Sequence, residues 1–293
     1  MSSPRVETIS VGDWQVVAIE ERRFGMDGGS MFGVVPRLLW SRKITPDEEN
    51  RVPMRANVFL VRTGDANVLL DSGLGNCLAP MDRKIYAPLG ESTLEDSLAA
   101  LGLSVDEITH VILTHLHTDH SNGVFAGHPD RPDLRFPRAQ HFVQSDEWDD
   151  AMHPDERSAP VYHIERFTRL MDSGRLTLLQ GDQQVMHGIS VAKTGGHTRG
   201  HQGVRVTSAD DRFFYYADIV PTRFHLKEPW VSALDLYPVD TMKAKRALLS
   251  ECCDTDTVLG ICHDTEVMMA RIVRHEKRMD AAPVDSVPVP VVR

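Results

Sequence analysis

The sequence lacks any apolar run approaching the roughly 18 residues that a transmembrane helix needs, so no membrane span is expected in its 293 residues. Its start, Met1-Ser2-Ser3-Pro4-Arg5-Val6-Glu7, lacks the apolar core of a signal peptide. Cysteine is scarce: Cys77, Cys252, Cys253 and Cys262 show no framework spacing, which fits unpaired thiols in a reducing compartment. Positive charge is short as well. Against 42 acidic residues stand 32 basic ones, a formal charge of -10, whereas a nucleic-acid partner needs a basic surface. What remains is the expectation of a cytoplasmic globular protein of ordinary composition, 41% hydrophobic and 25% charged.

Against these absences stands one dense stretch, Thr114-His115-Leu116-His117-Thr118-Asp119-His120, with three imidazoles and a carboxylate in six positions. An apolar run, Val111-Ile112-Leu113, precedes it and reads as a buried strand. Ser121-Asn122-Gly123 follows as turn chemistry. Side chains at the end of a buried strand are rigidly placed, and neutral imidazole and carboxylate are donors that zinc, iron, cobalt and manganese accept.

Taken in order, residues 6–21 read as a β-hairpin turning at Gly12-Asp13. Residues 25–41 mix glycines with Met31, Phe32 and Trp40, and the glycines argue for a loop whose apolar side chains either plug the core or line a pocket. Strands are expected at 57–62 and 67–71, with Asp71 closing the second one before Ser72-Gly73. A capped helix is expected over 93–101, a strand at 140–143, and helices over 145–153 and 160–172. His141, His153 and His163 read as surface or structural residues. Strands follow at 176–179, 189–192, 203–206 and 213–218, then a helix over 240–253 and a buried strand at 258–262. The spacing predicts a last helix from about Thr265, and a Pro- and Val-rich extended tail over 281–293 behind one domain at 1–280.

Potential ligands recur where these strands end. Gly195-Gly196-His197 follows one, Asp218 ends the next and His263 ends the last. Glycine permits the sharp bend that turns an imidazole back into a cleft. His201 reads as a residue that holds the loop.

In these motifs the sequence resembles the metallo-β-lactamase superfamily, from Asp71 through His263. The resemblance implies an α/β fold, a four-layer αβ/βα sandwich, with two divalent metal ions between the sheets. Zinc is the first expectation, with iron, cobalt or manganese as alternatives. It implies that His115, His117 and His197 hold the first ion, that Asp119, His120 and His263 hold the second, and that Asp218 bridges them. Asp71 matches the aspartate that orients a ligand histidine.

The segment 27–36 with Leu39-Trp40 further resembles quorum-quenching N-acyl homoserine lactone lactonases, which implies a small lactone or ester substrate and a homodimer. Several of these lactonases carry a tyrosine three residues after the bridging aspartate. Pro221 stands there instead, and His225 is the nearby polar candidate for a catalytic role.

Two divalent ions about 3.5–4 Å apart can hold a bridging hydroxide at neutral pH. That hydroxide can attack a lactone carbonyl while Asp119 carries a proton to the leaving group. Met31, Phe32 and Trp40, with Phe224 or Trp230, are candidates to receive an acyl chain. A phosphotriesterase or arylesterase would use the same ligands, and a non-catalytic metal-binding relative stays open. A flavodiiron oxidoreductase is disfavoured by His117 and by the absence of room for a flavin domain, and a β-lactamase by Asp218.

Overall fold

The computed structural model describes residues 5–276 and 278–287. Two seven-stranded sheets form its centre. The first takes β1 (Val6–Val11), β2 (Trp14–Asp27), β3 (Arg51–Arg62), β4 (Asn67–Leu70) and β5 (His110–Ile112). Past a separate hairpin of β6 (Phe125–His128) and β7 (Arg131–Leu134), it adds β8 (Gln140–Gln144) and β9 (Leu176–Leu179). The second runs in chain order through β10 (Gln183–Met186), β11 (Ile189–Lys193), β12 (Gln202–Ser208), β13 (Asp211–Tyr215), β14 (Val258–Gly260), β15 (Met269–Arg274) and β16 (Met279–Pro283).

Parallel neighbours need long crossovers, usually helical. Short α1 (Gly28–Phe32) and α2 (Arg37–Trp40) follow β2, while α3 (Pro80–Tyr86) and α4 (Leu94–Ala100) lie between the parallel pair β4 and β5. The one-turn α5 (Thr118–Ser121) follows β5, and α6 (Ser145–Met152) and α7 (Ile164–Asp172) cross from β8 to parallel β9. The long α8 (Pro238–Asp254) joins β13 to parallel β14.

Strand alternation decides the layering, because successive side chains leave opposite faces of a sheet. On β2 and β3, Val16, Ala18, Phe59 and Val61 enter the core between the sheets, where they meet Val191, Val204, Phe213 and Tyr215. Their neighbours Val17, Ile19, Val58 and Leu60 face the other way, against Leu94, Leu98, Phe167 and Leu170 of the helices. On β13 the same split sends Phe214 outward with Tyr216 against Leu248, Leu249 and Cys252 of α8. Helix, sheet, sheet and helix therefore make four layers, as the resemblance implied. Truncating a buried aromatic such as Phe59 to alanine is expected to cost about 3–5 kcal/mol.

Two expectations need correcting. No helix starts at Thr265. The chain from Met269 forms β15 and β16, and Ala281 and Ala282 pair with Ile272 and Arg271 inside the sheet. The extended tail thus begins as an edge strand, and residues 288–293 lie outside the described residues. Residues 25–41 are not one loop either. β2 continues through Gly25 to Asp27, whose carboxylate accepts from Ser30 N at 2.9 Å and caps α1. Glycine is needed there for contact: a Cβ on Gly28 would lie 2.4 Å from the Trp40 ring.

Candidate metal centre

The first sheet's β5 stops at Ile112, and the motif runs from its end into α5. His117 is the N-cap of α5 and is still extended, at φ -61° and ψ 150°. The switch from extended to helical backbone inside the motif divides its ligands between two clusters. His197 arrives on the turn after β11, Asp218 just after β13 and His263 just after β14.

The first cluster holds His115, His117, His197 and Asp218. His197 Nε2 lies 3.0 Å from His117 Nδ1 and 3.1 Å from Asp218 Oδ2, and His115 Nε2 is 3.9 Å from the same oxygen. The second holds His120, His263, Asp218 and Cys262. His120 Nε2 and His263 Nε2 are 3.1 Å apart and stand 3.3 and 3.2 Å from Asp218 Oδ1. Asp119 Oδ2 is 3.3 Å from His263 Nε2 and 3.9 Å from His120 Nε2. Donors about 2.0–2.1 Å from one tetrahedral ion lie about 3.3 Å from one another, so both clusters have the spacing of shared coordination. His115 Nε2 is fully buried and has no hydrogen-bond partner among the described residues. A buried polar atom without a partner is costly, and a cation beside this one removes the cost.

In four of the five imidazoles the ring nitrogen that faces away from the clusters is engaged, which fixes the orientation of those rings. His120 Nδ1 lies 2.8 Å from Asp71 Oδ2, His197 Nδ1 2.7 Å from Asp235 Oδ1, His263 Nδ1 2.9 Å from the Arg55 carbonyl and His115 Nδ1 3.1 Å from Thr114 Oγ1. Asp71 gathers four donors: Thr114 N at 2.7 Å, Thr114 Oγ1 at 2.8 Å, Tyr215 Oη at 2.7 Å and the His120 ring.

The electrostatics call for positive charge. Asp71, Asp119 and Asp218 pair only with histidines among the described residues. Burial drives His115 and His117 well below the usual imidazole range, so their lone pairs are free. Burial acts the same way on His120, His197 and His263, but the neighbouring carboxylates together outweigh it, Asp218 first, with Asp119 and Asp71 at His120, Asp235 at His197 and Asp119 at His263, and raise all three, His263 to about 9.

Sequence reasoning missed four supports. Tyr215 is one, and Asp235, which lies in the 234–236 loop with no motif around it, is another. Glu147 is fully buried: its Oε1 accepts from Leu116 N at 2.9 Å and Tyr162 Oη at 3.0 Å, and its other oxygen from the Thr198 hydroxyl. It ties the His117 loop to the His197 loop, and a Cβ on Gly200 would strike its backbone N at 2.1 Å. A signal existed, since Glu147 sits four residues before buried Ala151 on one face of α6. Tyr86 Oη, the fourth, is 3.4 Å from Asp119 Oδ1.

Other candidates are placed elsewhere. His225 is buried with Nδ1 2.8 Å from Thr222 Oγ1 and Nε2 2.9 Å from the Met31 carbonyl. Both nitrogens are engaged, and His225 ties the Met31 segment to the turn at Thr222. Phe32 is sandwiched between the His225 and Trp40 rings at 5.1 and 5.2 Å, with Trp230 edge-on at 5.8 Å. Met31, Phe32 and Trp40 are all buried, in one apolar cluster with Trp230. His201 Nδ1 lies 2.6 Å from Thr194 Oγ1 and holds its loop. His141 is buried, His163 lies 3.0 Å from Asp82, and His153 is exposed.

Comparison with known proteins agrees with this geometry. Residues 51–251 match the family described as the metallo-beta-lactamase superfamily. A probable metallo-hydrolase of Mycobacterium tuberculosis is 28% identical over 231 residues, 68% of this chain and 66% of that protein, so the match spans just under two thirds of that relative. The N-acyl homoserine lactonase AttM of Rhizobium johnstonii is 24% identical over 78% of this chain and 87% of its own. The crystal structure of a probable metal-dependent hydrolase from Staphylococcus aureus superposes with a TM-score of 0.84 at 28% identity, over 96% of this chain and all of that one. With the family match covering more than half of its length and the donor clusters at the strand ends, the chain belongs to the metallo-β-lactamase superfamily.

Proposed function

We propose that this metal-dependent hydrolase opens the lactone ring of N-acyl homoserine lactones with two divalent ions, zinc being the best match to its donors. The observation that carries the metal count is Asp218, whose Oδ1 faces His120 and His263 while its Oδ2 faces His115 and His197. One carboxylate thereby joins two donor sets. His115, His117 and His197 would hold one ion, and Asp119, His120 and His263 the other. Tetrahedral spacing of imidazole and carboxylate suits zinc. When bound, such a pair supplies a Lewis acid for the carbonyl and a nucleophilic water at neutral pH.

The remaining work falls to side chains. Asp119 stands at the edge of the second cluster, 7% exposed, where it can hold a proton and pass it to the leaving alkoxide. Tyr86 donates to its Oδ1 and keeps Oδ2 toward His263. Asp71, Asp235 and the Arg55 carbonyl keep the imidazoles from turning away. Met31, Phe32 and Trp40 back the apolar wall, and half-buried Phe224 packs against that cluster. The lactonase relative supports the choice of substrate.

A panel of homoserine lactones, aryl esters, a phosphotriester and a β-lactam tests the reading, with metal content measured alongside. Lactone turnover well above the others is the expected result. Turnover of the phosphotriester or ester alone would replace the substrate but keep the metal chemistry, and two-ion loading with no turnover of any would overturn the catalytic reading.

A further inference from the structure

We infer that Cys262 is a thiolate ligand of the second metal, a soft donor added to the imidazoles and carboxylates already described. The inference rests on the metal reading above and extends it. The four cysteines do not sit alike. All but Cys253 are packed in apolar clusters, Cys77 and Cys252 against helices and Cys262 between the sheets, and Cys253 points its Sγ at the Ile272 carbonyl; what sets Cys262 apart is the donor group its Sγ joins. Cys262 follows β14 and immediately precedes His263, where its Sγ lies 3.4 Å from Asp218 Oδ1. That oxygen is the one that also faces His120 Nε2 and His263 Nε2, at 3.3 and 3.2 Å. The ligand atoms of His120, Asp218, Cys262 and His263 all lie within 4.8 Å of one another.

The lengths agree with coordination. With sulfur about 2.3 Å and oxygen about 2.0–2.1 Å from one ion that also takes His120, His263 and Asp119, a five-donor shell with angles of about 90–110° places the two ligands about 3.1–3.6 Å apart. Cys262 is 1% exposed, so a metal-bound sulfur would be shielded from solvent oxidants. On binding, the S–H bond breaks, the proton leaves to solvent and sulfur bonds the metal. A thiolate biases the site toward zinc, cobalt or cadmium and away from manganese or magnesium. The competing role is plain: a thiol that donates a hydrogen bond to Asp218 and never binds metal.

Cobalt(II) substitution of the full chain separates the two roles without using activity. The expected spectrum has visible d–d bands from the imidazole and carboxylate donors together with a near-ultraviolet thiolate-to-cobalt charge-transfer band. Cys262→Ser and Cys262→Ala should keep the visible bands and lose the near-ultraviolet one. Both should bind the second cobalt roughly tenfold or more weakly, at least the scale seen when a metal ligand loses an outer partner. Visible bands without the charge-transfer band in the unaltered protein would overturn the inference while leaving the metal centre standing. So would a band that persists in Cys262→Ser, or a serine variant that binds cobalt as tightly as the parent, since a hydroxyl replaces a hydrogen-bond donor. No cobalt spectrum at all would overturn the metal reading and the inference with it.

Discussion

The two halves of the metal centre are anchored differently. The half around His120 and His263 is tied to the sheets: Asp71 directly follows β4, Tyr215 belongs to β13, and the Arg55 carbonyl belongs to β3. The half around His115, His117 and His197 is tied by carboxylates from outside the sheets, Glu147 on α6 and Asp235 in the loop before α8. A sheet-built half inherits the rigidity of the core. A tethered half depends on a few side chains whose removal leaves the core intact. The halves should therefore respond separately to substitution, and only the shared Asp218 should affect both.

Removing the two proposed ions should have the largest effect. The donors come from strand ends in both sheets, so a metal bound only to the native state stabilises the chain by about 4 kcal/mol per site at a thousandfold excess over Kd. Chelation should lower Tm, and readdition should restore it. An unchanged melting curve after verified removal would show that neither half holds a metal. Next comes Asp218→Ala. Loss of a ligand shared by both halves should exceed the roughly 100-fold loss of affinity or activity seen for outer partners. Measured stoichiometry should fall below two ions together with turnover, and a variant that keeps two ions and full turnover would refute the bridge.

Asp71→Asn is confined to the sheet-built half. Asp71 has a positive φ of 55°, a conformation that asparagine tolerates, so the backbone should survive. The amide replaces one acceptor oxygen by a donor. It can no longer accept from Thr114 N, Thr114 Oγ1, Tyr215 and His120 together. The ion at His120 and His263 should weaken by about 10–100-fold, with the other ion retained. Competition with a graded series of chelators reads the two ions separately.

The same contrast explains what could be read from the sequence. The proposed ligands stand out in the sequence because they are close together, as at His115 to His120, or follow an apolar strand, as at Asp218 and His263. Their supports do not. Tyr215 meets Asp71 across 144 positions of sequence, and Asp235 meets His197 across 38, and no local pattern marks such contacts. The helix expected from Thr265 failed for another reason. Met268, Met269, Ala270 and Arg271 are helix formers, yet Ala270 and Ile272 are buried while Arg271 between them is exposed. That is a strand's period of two, and pairing with β14 outweighed local propensity. At Phe32 the sequence left plug and pocket open, and the structure places the ring fully buried between His225 and Trp40.

Glu147→Gln is expected to have the smallest effect and to test the comparison most finely. The carboxylate now serves three donors, with Leu116 N and Tyr162 on one oxygen and Thr198 on the other. Burial pushes its carboxyl up, while the bonds from Thr198, Leu116 and Tyr162 oppose that shift. Glutamine can place its carbonyl where Oε1 stands and keep two of the three bonds. Its amide then faces the Thr198 hydroxyl, which can turn and accept. The net cost to stability should be about one ordinary hydrogen bond, roughly 1 kcal/mol. The Thr198 contact changes character, however, and Thr198 follows His197 directly. Release of the ion at His115, His117 and His197 should therefore quicken by up to about tenfold, while the ion at His120 and His263 leaves at its parental rate. Glu147→Ala should be worse, since it leaves the Leu116 N–H without its acceptor and opens a cavity. Stopped-flow chelation with a metal indicator resolves two release phases. If the glutamine variant quickens both phases equally, the halves are one mechanical unit and the distinction between sheet-built and tethered anchoring fails.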